Sequence, residues 1–362
     1  MIIRRLEARD YRNYASLDIT LSEDCNLLIG ENGVGKTNLL EALGYLLCAQ
    51  SIFGARDRDV IAFDKTSTSL SGFLEEGEEE RKIFLSEEKK DLFRDGEKIK
   101  RRREFLLGTA YVLFRPVDLN LIKLSPKHRR DYLDEALSHI NPYYERTLLT
   151  YKKVLEERNA FLKEERKRGD EILLDVYDEQ LVRLAEELIE ARLRAISRLS
   201  KRARDIYAHM SGEREVLGMK YLSSLPFSFD GGKNKEAFLR ALKERRGEDL
   251  VRRQTTLGPH RDDIAFTLGG HDARRFASQG QQRSLLLSMK LAEVDLIEEE
   301  RHIKPILLLD DVFSELDKKR KEALLENLEK TQSVITMAEA IPEVNQRAKG
   351  RFLITKEHIE EI

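Results

Sequence analysis

Residues 30–37 read Gly30-Glu31-Asn32-Gly33-Val34-Gly35-Lys36-Thr37 and satisfy G-x-x-x-x-G-K-[ST], the spacing of a loop that cradles nucleotide phosphates. Gly33 and Gly35 admit backbone conformations that a Cβ would forbid, so successive N–H groups can point inward at phosphate oxygens. Lys36 brings a mobile ammonium to the β- and γ-phosphates, and the Thr37 hydroxyl suits Mg2+. Much further along, Pro305-Ile306-Leu307-Leu308-Leu309 is an apolar run that ends in Asp310 and Asp311. One carboxylate there is what a phosphate loop needs to hold Mg2+, directly or through water. The second can orient and activate an attacking water. Upstream of that run, Ser278-Gln279-Gly280-Gln281-Gln282 opens a helical stretch. A polar, glycine-containing cap of this kind is either a plain N-cap or an anion-binding helix start facing a second nucleotide.

These groups need elements to hold them. Residues 26–29 predict a short buried strand leading into the loop, and residues 38–47 a helix leading out, whose N-terminal dipole favours an anion. Apolar alternation at Ile3, Leu6 and Ala8, then at Leu17, Ile19 and Leu21, predicts two strands joined through Tyr11-Arg12-Asn13-Tyr14 and feeding the loop strand. Residues 305–311 predict a buried parallel strand. Residues 75–91 carry eight acids and four bases and predict solvated hairpin edges and turns; residues 98–130 reverse the sign, with ten bases against Glu104 and Asp118.

Residues 145–210 lack proline, and their periodicity is helical. Tyr177, Leu181, Leu184, Leu188, Ala191 and Ala195 repeat in steps of four and three, while Leu148, Leu155 and Leu162 fall seven apart. With Arg168-Gly169-Asp170 as the turn, this predicts a short antiparallel coiled-coil hairpin. Its second arm carries Arg192, Arg194, Arg198, Lys201, Arg202 and Arg204 with no acid between them, and Arg194, Arg198 and Arg202 share a face. Two readings stay open: a solvated helix face, or a stripe that touches phosphate backbone. A turn-rich stretch at 223–234 precedes a helix over 235–246. Thr255-Thr256-Leu257-Gly258-Pro259-His260-Arg261-Asp262-Asp263 is either a loop capping the strand at 264–266 or a site of chemistry.

The 362 residues are enough for two lobes, and 64 Lys and Arg against 66 Asp and Glu give no global pull on an anionic partner, so any nucleic-acid surface must be a local patch. Cys25 and Cys48 make neither a zinc spacing nor a disulfide framework. The charged start and the lack of any apolar run of spanning length predict a cytoplasmic protein.

The loop, S-Q-G-Q-Q, L-L-L-D-D and Ser314-Glu315-Leu316-Asp317, in this order, resemble the ATPase heads of the ABC/SMC superfamily. The long interval between Lys36 and Ser278, with a helical hairpin inside it, favours the DNA-repair and chromosome-maintenance branch over transport; a transporter subunit and a DNA clamp that binds ATP without hydrolysing it are the other readings left open. Within the superfamily it resembles the RecF family, on Tyr11-Arg12-Asn13-Tyr14, G-E-N-G-x-G-K-T-N-L-L-E-A, Asp118-Leu119 with Arg129-Arg130-Asp131-Tyr132-Leu133-Asp134, T-L-G-P-H-R-D-D, F-A-S-Q-G-Q-Q-R-S and P-I-L-L-L-D-D-V-F-S-E-L-D.

That resemblance implies an α/β head with a mixed sheet, formed by residues 1–119 and 251–362, and a mainly helical lobe over residues 120–250. It implies ATP and Mg2+ as cofactors and slow, DNA-stimulated hydrolysis. Lys36, Asp310, Asp311 and Ser278 are the catalytic candidates, and Thr37 and Asp310 the Mg2+ ligands. Gly30, Glu31, Asn32, Gly33, Val34, Gly35, Lys36, Thr37, Asn38, Arg12, Gln279 and Gly280 are the nucleotide contacts. Thr336 stands where transporters carry a switch histidine, and Asp311 is one methylene shorter than the usual glutamate. The implied partners are a second copy, with Ser278 completing the other copy's phosphate site, single- and double-stranded DNA, RecO and RecR. The implied role is loading RecA at single-strand gaps and duplex junctions, in gap repair, fork maintenance and the SOS response. Arg101, Arg102, Arg103, Lys127, Arg129, Arg130, Arg194, Arg198 and Arg202 are the candidate DNA contacts.

Overall fold

The computed structural model describes residues 1–74, 79–164, 170–212, 215–229, 234–328, 331–356 and 358–362. It divides into two compact units, Met1–Leu119 with Ile297–Ile362, and Asn120–Leu296. In chain order the elements are β1 (Ile3–Tyr11), β2 (Tyr14–Thr20), β3 (Cys25–Ile29), α1 (Lys36–Cys48), β4 (Ser67–Leu74), β5 (Glu79–Ser86), β6 (Lys90–Arg94), β7 (Glu97–Ile99), α2 (Arg102–Phe105) and β8 (Tyr111–Phe114). There follow α3 (Pro126–Ile140), α4 (Pro142–Phe161), α5 (Asp170–Ser211), β9 (Leu217–Leu222), α6 (Asn234–Arg252), β10 (Asp263–Leu268), β11 (His271–Asp272), α7 (Ala273–Phe276) and α8 (Gln279–Arg301). The chain closes with β12 (Ile306–Asp310), α9 (Lys318–Leu328), β13 (Ser333–Met337), α10 (Pro342–Arg347), β14 (Ala348–Ile354) and β15 (Ile359–Glu361).

The first unit holds two six-stranded sheets. One is antiparallel, in the order β2-β1-β4-β5-β6-β7, and β4 buries every second residue, as a strand with one covered face must. The other is mixed, in the order β15-β14-β3-β13-β12-β8, with β14 to β8 parallel and β15 antiparallel. The run at 306–310 buries four of its five residues, the pattern of a parallel strand covered on both faces. Helix α1 packs on strands of both sheets. Leu39, Leu40, Ala42, Leu43, Tyr45, Leu46 and Leu47 are all fully buried, so this helix is apolar all round rather than on one stripe. Each such leucine contributes roughly 1.5–3 kcal/mol, which fixes the loop at its N-terminus to a rigid core.

Strands β1 and β2 form the expected pair, joined between Tyr11 and Tyr14 and leading on to β3; they lie in the antiparallel sheet and β3 in the mixed one. One expectation shifts here. Residues 79–86 are not a solvated edge: β5 lies between β4 and β6 and buries Arg81, Ile83 and Leu85, with Glu79 paired to Arg81 on the same face and Lys82 exposed on the other. Residues 75–78 lie outside the described residues.

In the second unit α4 and α5 form the expected antiparallel pair. Tyr144 meets Arg192, Thr147 meets Glu187 and Arg158 meets Asp178, so the register runs in opposite directions along the two helices. The turn expected at 168–169 lies outside the described residues, as do the glycines of 230–233. Leu148, Leu162, Leu181, Leu184, Leu188 and Ala195 are buried, whereas Leu155, Tyr177 and Ala191 are partly covered. The seam is also polar. Arg158, with no exposure, donates to Asp178 Oδ1, Asp249 Oδ2 and Thr255 Oγ1, each at 2.8 Å. Arg246 Nη2 adds Asp178 Oδ2 at 2.6 Å, so α4, α5 and α6 share one ionic network. Removing one partner of such a pair strands a buried charge, at about 3–5 kcal/mol.

Residues 251–296, expected with the chain ends, group with the helical unit. The reason is strand pairing: β10 is antiparallel to β9 from Asp263↔Leu222 to Leu268↔Leu217, and β11 extends that small sheet. The T-L-G-P-H-R-D-D loop is a structural junction. Buried Asp262 accepts from the Tyr221 hydroxyl and, at 2.7 Å, from Ser224 N–H.

His260 Nε2 lies 3.0 Å from the Thr255 carbonyl, which can only accept, so the proton sits on Nε2 and Nδ1 accepts from the Tyr151 hydroxyl at 2.7 Å. Burial, helped by Arg261 and Arg130, pushes the imidazole down to about 4. The unfolded chain then binds the extra proton between roughly pH 6.5 and pH 4, so this residue costs stability as pH falls through that window and nothing above it. His260→Gln should narrow the loss of melting temperature between pH 7 and pH 4.5; an unchanged difference between the two pH values would contradict the assignment.

Candidate nucleotide site

The loop at 30–37 leaves the C-terminal end of β3 and enters α1. Gly33 has φ +81° and Gly35 φ +114°, both in the left-handed region where a side chain would be strained. A Cβ on Gly35 would stand 2.4 Å from Asn13 Nδ2, and one on Gly30 2.3 Å from the Ile354 carbonyl. Lys36 is 7 % exposed, and its Nζ donates to the carbonyls of Gly30 at 2.6 Å and Glu31 at 2.7 Å. An ammonium has three donors, so two hold the loop and one is left for a phosphate oxygen. Burial lowers the Lys36 ammonium below the usual lysine range, opposed by the negative charges of Asp311 and Asp310.

Register carries the carboxylates to this point. Leu28 of β3 pairs with Thr336 of β13, and Thr336 with Asp310 of β12. Asp310 Oδ1 accepts from Thr37 Oγ1 at 2.9 Å and from Thr336 Oγ1 at 2.8 Å. Thr336 also accepts from the Asp311 N–H at 2.9 Å, so this one hydroxyl holds both acids in place. Asp311 itself has φ +47°, a conformation that costs about 1–2 kcal/mol in a residue with a side chain. Two contacts hold it there: the N–H on Thr336, and its carbonyl accepting from Ser314 Oγ at 2.8 Å. A hydroxyl and a carboxylate 2.9 Å apart form the oxygen donor set that Mg2+ takes beside a phosphate. Among the described residues no cluster of three or more His, Cys, Asp or Glu offers an all-protein metal cage.

The turn between β1 and β2 grips the same loop. Asn13 Nδ2 donates to the Val34 carbonyl at 3.2 Å, Tyr14 OH to the Gly35 carbonyl at 3.0 Å, and Asn38 Nδ2 to Asn13 Oδ1 at 2.7 Å. Arg12, at φ +52°, forms a two-pronged pair with buried Glu41, at 2.7 and 3.0 Å, and donates to the Asp59 carbonyl at 2.7 Å. Ser51 donates to the same carboxylate. Arg12 is thereby tied to α1 through Glu41 and to the Asp59 carbonyl. Asn13, Tyr14, Glu41 and Ser51 were not foreseen as site residues. Glu41 stands out as an acid on an apolar helix, and Asn13 and Tyr14 belong to the Tyr-Arg-Asn-Tyr string; nothing in the sequence marks Ser51.

Ser278, Gln279 and Gly280 belong to the second unit, at the start of α8, where Ser278 and Gln279 are exposed. Of the candidate DNA contacts, Arg101 and Arg103 are exposed, while Arg102 donates to the Cys48 carbonyl at 2.9 Å. Lys127 pairs with Asp131 at 2.6 Å and Arg130 donates to the Asp262 carbonyl at 2.7 Å. Arg194 pairs with Glu190 at 2.5 Å, Arg198 is half-buried, and Arg202 lies 3.9 Å from Asp295. Arg129 is a correction. It is 2 % exposed, doubly bonded to Asp263 at 2.7 and 2.8 Å and donating to the Leu124 carbonyl at 2.5 Å, so its charge is spent inside the protein. Arg192 is likewise internal, on Asp134, Tyr144, Tyr221 and the Pro259 carbonyl. Among the described residues no helix is long and apolar enough to cross a membrane.

The family described as the RecF/RecN/SMC N terminal domain matches residues 2–358. The chain is 36% identical over 363 residues to DNA replication and repair protein RecF of Bacillus subtilis, covering 98% of each. It is 39% identical over 344 residues to the protein of the same name in Shouchella clausii, covering 93% of this chain and 92% of that one. A solved structure described as the recombination mediator protein RecF-ATPrS in the RecFOR pathway superposes with a TM-score of 0.91 at 32% identity, over 99% of this chain and 98% of that one. The Smc head domain derived from Pyrococcus furiosus, at 15% identity and a TM-score of 0.55, shares the fold alone. Its ABC/SMC-like α/β head, its helical hairpin unit and these relatives show that the chain belongs to the RecF family of DNA replication and repair proteins.

Proposed function

We propose that this protein is an ATP-dependent DNA-binding recombination mediator whose two copies close on shared ATP and reopen on slow, DNA-stimulated hydrolysis. The observation that carries the reading is the 2.9 Å contact of Thr37 Oγ1 with Asp310 Oδ1, which joins a phosphate loop and a strand-end carboxylate far apart in sequence into one Mg2+-ready site. RecF relatives solved with ATP, described as recombination mediators of the RecFOR pathway, support it.

Bound Mg2+ supplies Lewis-acid neutralisation of phosphoryl charge. The chain's own groups do the rest. Lys36 neutralises the outer phosphates, the loop N–H groups hold them in line, and Asp311 orients and deprotonates the attacking water. Thr336 cannot take a proton in that step and acts by holding Asp310 and Asp311, which fits slow turnover. Ser278 of one copy donates to the γ-phosphate held by Lys36 and Thr37 of its partner, so ATP joins the two heads. Closed on DNA at gaps and duplex junctions, the dimer works with RecO and RecR to load RecA, in gap repair and the SOS response.

The DNA side of this reading is tested by salt. Exposed ion pairs such as Arg194–Glu190 hold side chains only weakly in water, so these arginines remain able to exchange an acid for a phosphate. With ATP present, duplex affinity should fall linearly on a log–log plot against salt. Replacing Arg194, Arg198 and Arg202 with Ala should flatten that slope by about 0.9 per lost contact. An unchanged slope returns the stripe to a solvated helix face, and turnover indifferent to DNA argues against a mediator.

A further inference from the structure

The start of α8 is built on a reciprocal cap. Ser278 N–H donates to Gln281 Oε1 at 2.6 Å, and Gln281 N–H donates to Ser278 Oγ at 3.2 Å. Because the hydroxyl oxygen is accepting from the helix, its own proton is free to be donated outward, the polarity that a phosphate oxygen requires. The exposed side chain of Ser278 stands where such a donor can be reached.

The cap has a support outside the S-Q-G-Q-Q string. Gln281 Nε2 donates to Glu215 Oε1 at 2.6 Å, and Glu215 Oε2 accepts from the Tyr207 hydroxyl at 3.1 Å. A glutamine amide can face either way, and only its environment selects one. If it flipped, its NH2 would meet the Ser278 N–H and its oxygen would meet the Glu215 carboxylate, two repulsive contacts in place of two bonds. The carboxylate therefore dictates that the amide oxygen faces Ser278. Glu215 sits in the connection between α5 and β9, and Tyr207 is in the final turns of α5.

We propose that Glu215 is a positioning residue for Ser278: it orients Gln281, which sets the Ser278 hydroxyl toward the nucleotide of the partner copy. The proposal rests on the trans-acting role given to Ser278 above. Tyr207 anchors the carboxylate to α5, the same helix that carries Arg194, Arg198 and Arg202, so the Ser278–Gln281 cap is bonded to the candidate DNA-contacting helix through the side chains of Gln281, Glu215 and Tyr207.

The test compares Glu215→Ala, Glu215→Gln, Gln281→Glu and the double exchange Glu215→Gln/Gln281→Glu, with Ser278→Arg as reference. ATP affinity, ATP-dependent dimerisation by sedimentation, and single-site turnover are measured for each. Displacing a reacting group by about 1 Å costs on the order of a hundredfold. Glu215→Ala and Gln281→Glu should therefore bind ATP as wild type does, with kcat and dimer affinity reduced roughly 10- to 100-fold and KM little changed. Gln281→Glu sets two carboxylates face to face while keeping the cap, so it gives the same answer if Glu215→Ala fails to fold. The double exchange restores one donor and one acceptor across the gap, keeps an S-x-x-E cap, and should recover both readouts; Glu215→Gln keeps an acceptor for Gln281 and should stay near wild type. If Ser278→Arg abolishes dimerisation while Glu215→Ala and Gln281→Glu leave it and kcat intact, the positioning role is wrong and the dimer mechanism stands. If Ser278→Arg itself dimerises with ATP, the mechanism fails first. Failure of the double exchange to recover either readout also overturns the role of Glu215.

Discussion

Lys36→Met should fold as the native protein does, bind ATP roughly 10- to 100-fold more weakly, and lose ATP-dependent DNA binding. The magnitude follows from what the ammonium does. It is buried, it bridges the Gly30 and Glu31 carbonyls, and its remaining proton is the only charge-assisted donor the loop itself offers the outer phosphates. A charged hydrogen bond lost without replacement is worth about 1.5–3 kcal/mol. Methionine fills nearly the same channel with an unbranched apolar chain, so α1 and its leucines keep their packing and the melting temperature should move by only a few degrees. Titration with a fluorescent ATP analogue, alongside thermal unfolding, checks both halves. A folded Lys36→Met protein with native ATP affinity would sink the assignment of residues 30–37.

Ser278→Arg acts on the other half of the composite site. The side chain it replaces is exposed, so arginine meets no core, and the cost to folding is that of a lost N-cap, about 0.5–2 kcal/mol. The protein's own phosphate loop is untouched and should bind ATP normally. What the bulky cation obstructs is the approach of a second head. Monomers that bind ATP, do not dimerise and hydrolyse almost nothing are the expected outcome, read by sedimentation and phosphate release. Mixing Ser278→Arg with Lys36→Met protein creates dimers in which one site joins an intact loop to an intact serine while the other has neither. Activity that returns on mixing two inactive proteins has no explanation in a self-contained active site. Normal dimerisation and hydrolysis by Ser278→Arg alone would end the trans mechanism.

The two variants touch parts of the site that differ in how locally the sequence encodes them. The phosphate loop is eight contiguous residues whose function depends on backbone conformation and one side chain, so its chemistry is local and its pattern is carried whole. The strand that ends in Asp310 announces itself through a short apolar run, the pattern of a strand covered on both faces, and the acids follow it directly. The heptad steps of α4 and α5 are likewise local, and they produced an antiparallel pair because each helix alone leaves its leucines in water. The Ser278 cap is legible as a helix start, but its tie to Glu215 spans 66 residues and leaves no local pattern.

Other features depend on partners that no local pattern specifies. Arg129, Arg192 and Arg194 have the same charge and similar neighbours in sequence, yet the first two are internal and the third is largely exposed. A guanidinium's burial is decided by whether a carboxylate arrives from elsewhere, here Asp263 for Arg129 and Asp134 for Arg192. The turn at Asn13 and Tyr14 reaches the loop through pairing in a different sheet from that of β3, and Glu41 is legible as an oddity on an apolar helix but not as the partner of Arg12. Residues 251–296 follow the pairing of β10 with β9, a long-range choice, and so join the helical unit. Sequence alone determined the chemistry that contiguous backbone and periodic burial can encode: the phosphate loop, the strand-end acids, the helical hairpin and the family. Tertiary structure decided which charges are spent inside and which remain for a ligand, because that depends on neutralising partners brought from distant positions in the chain.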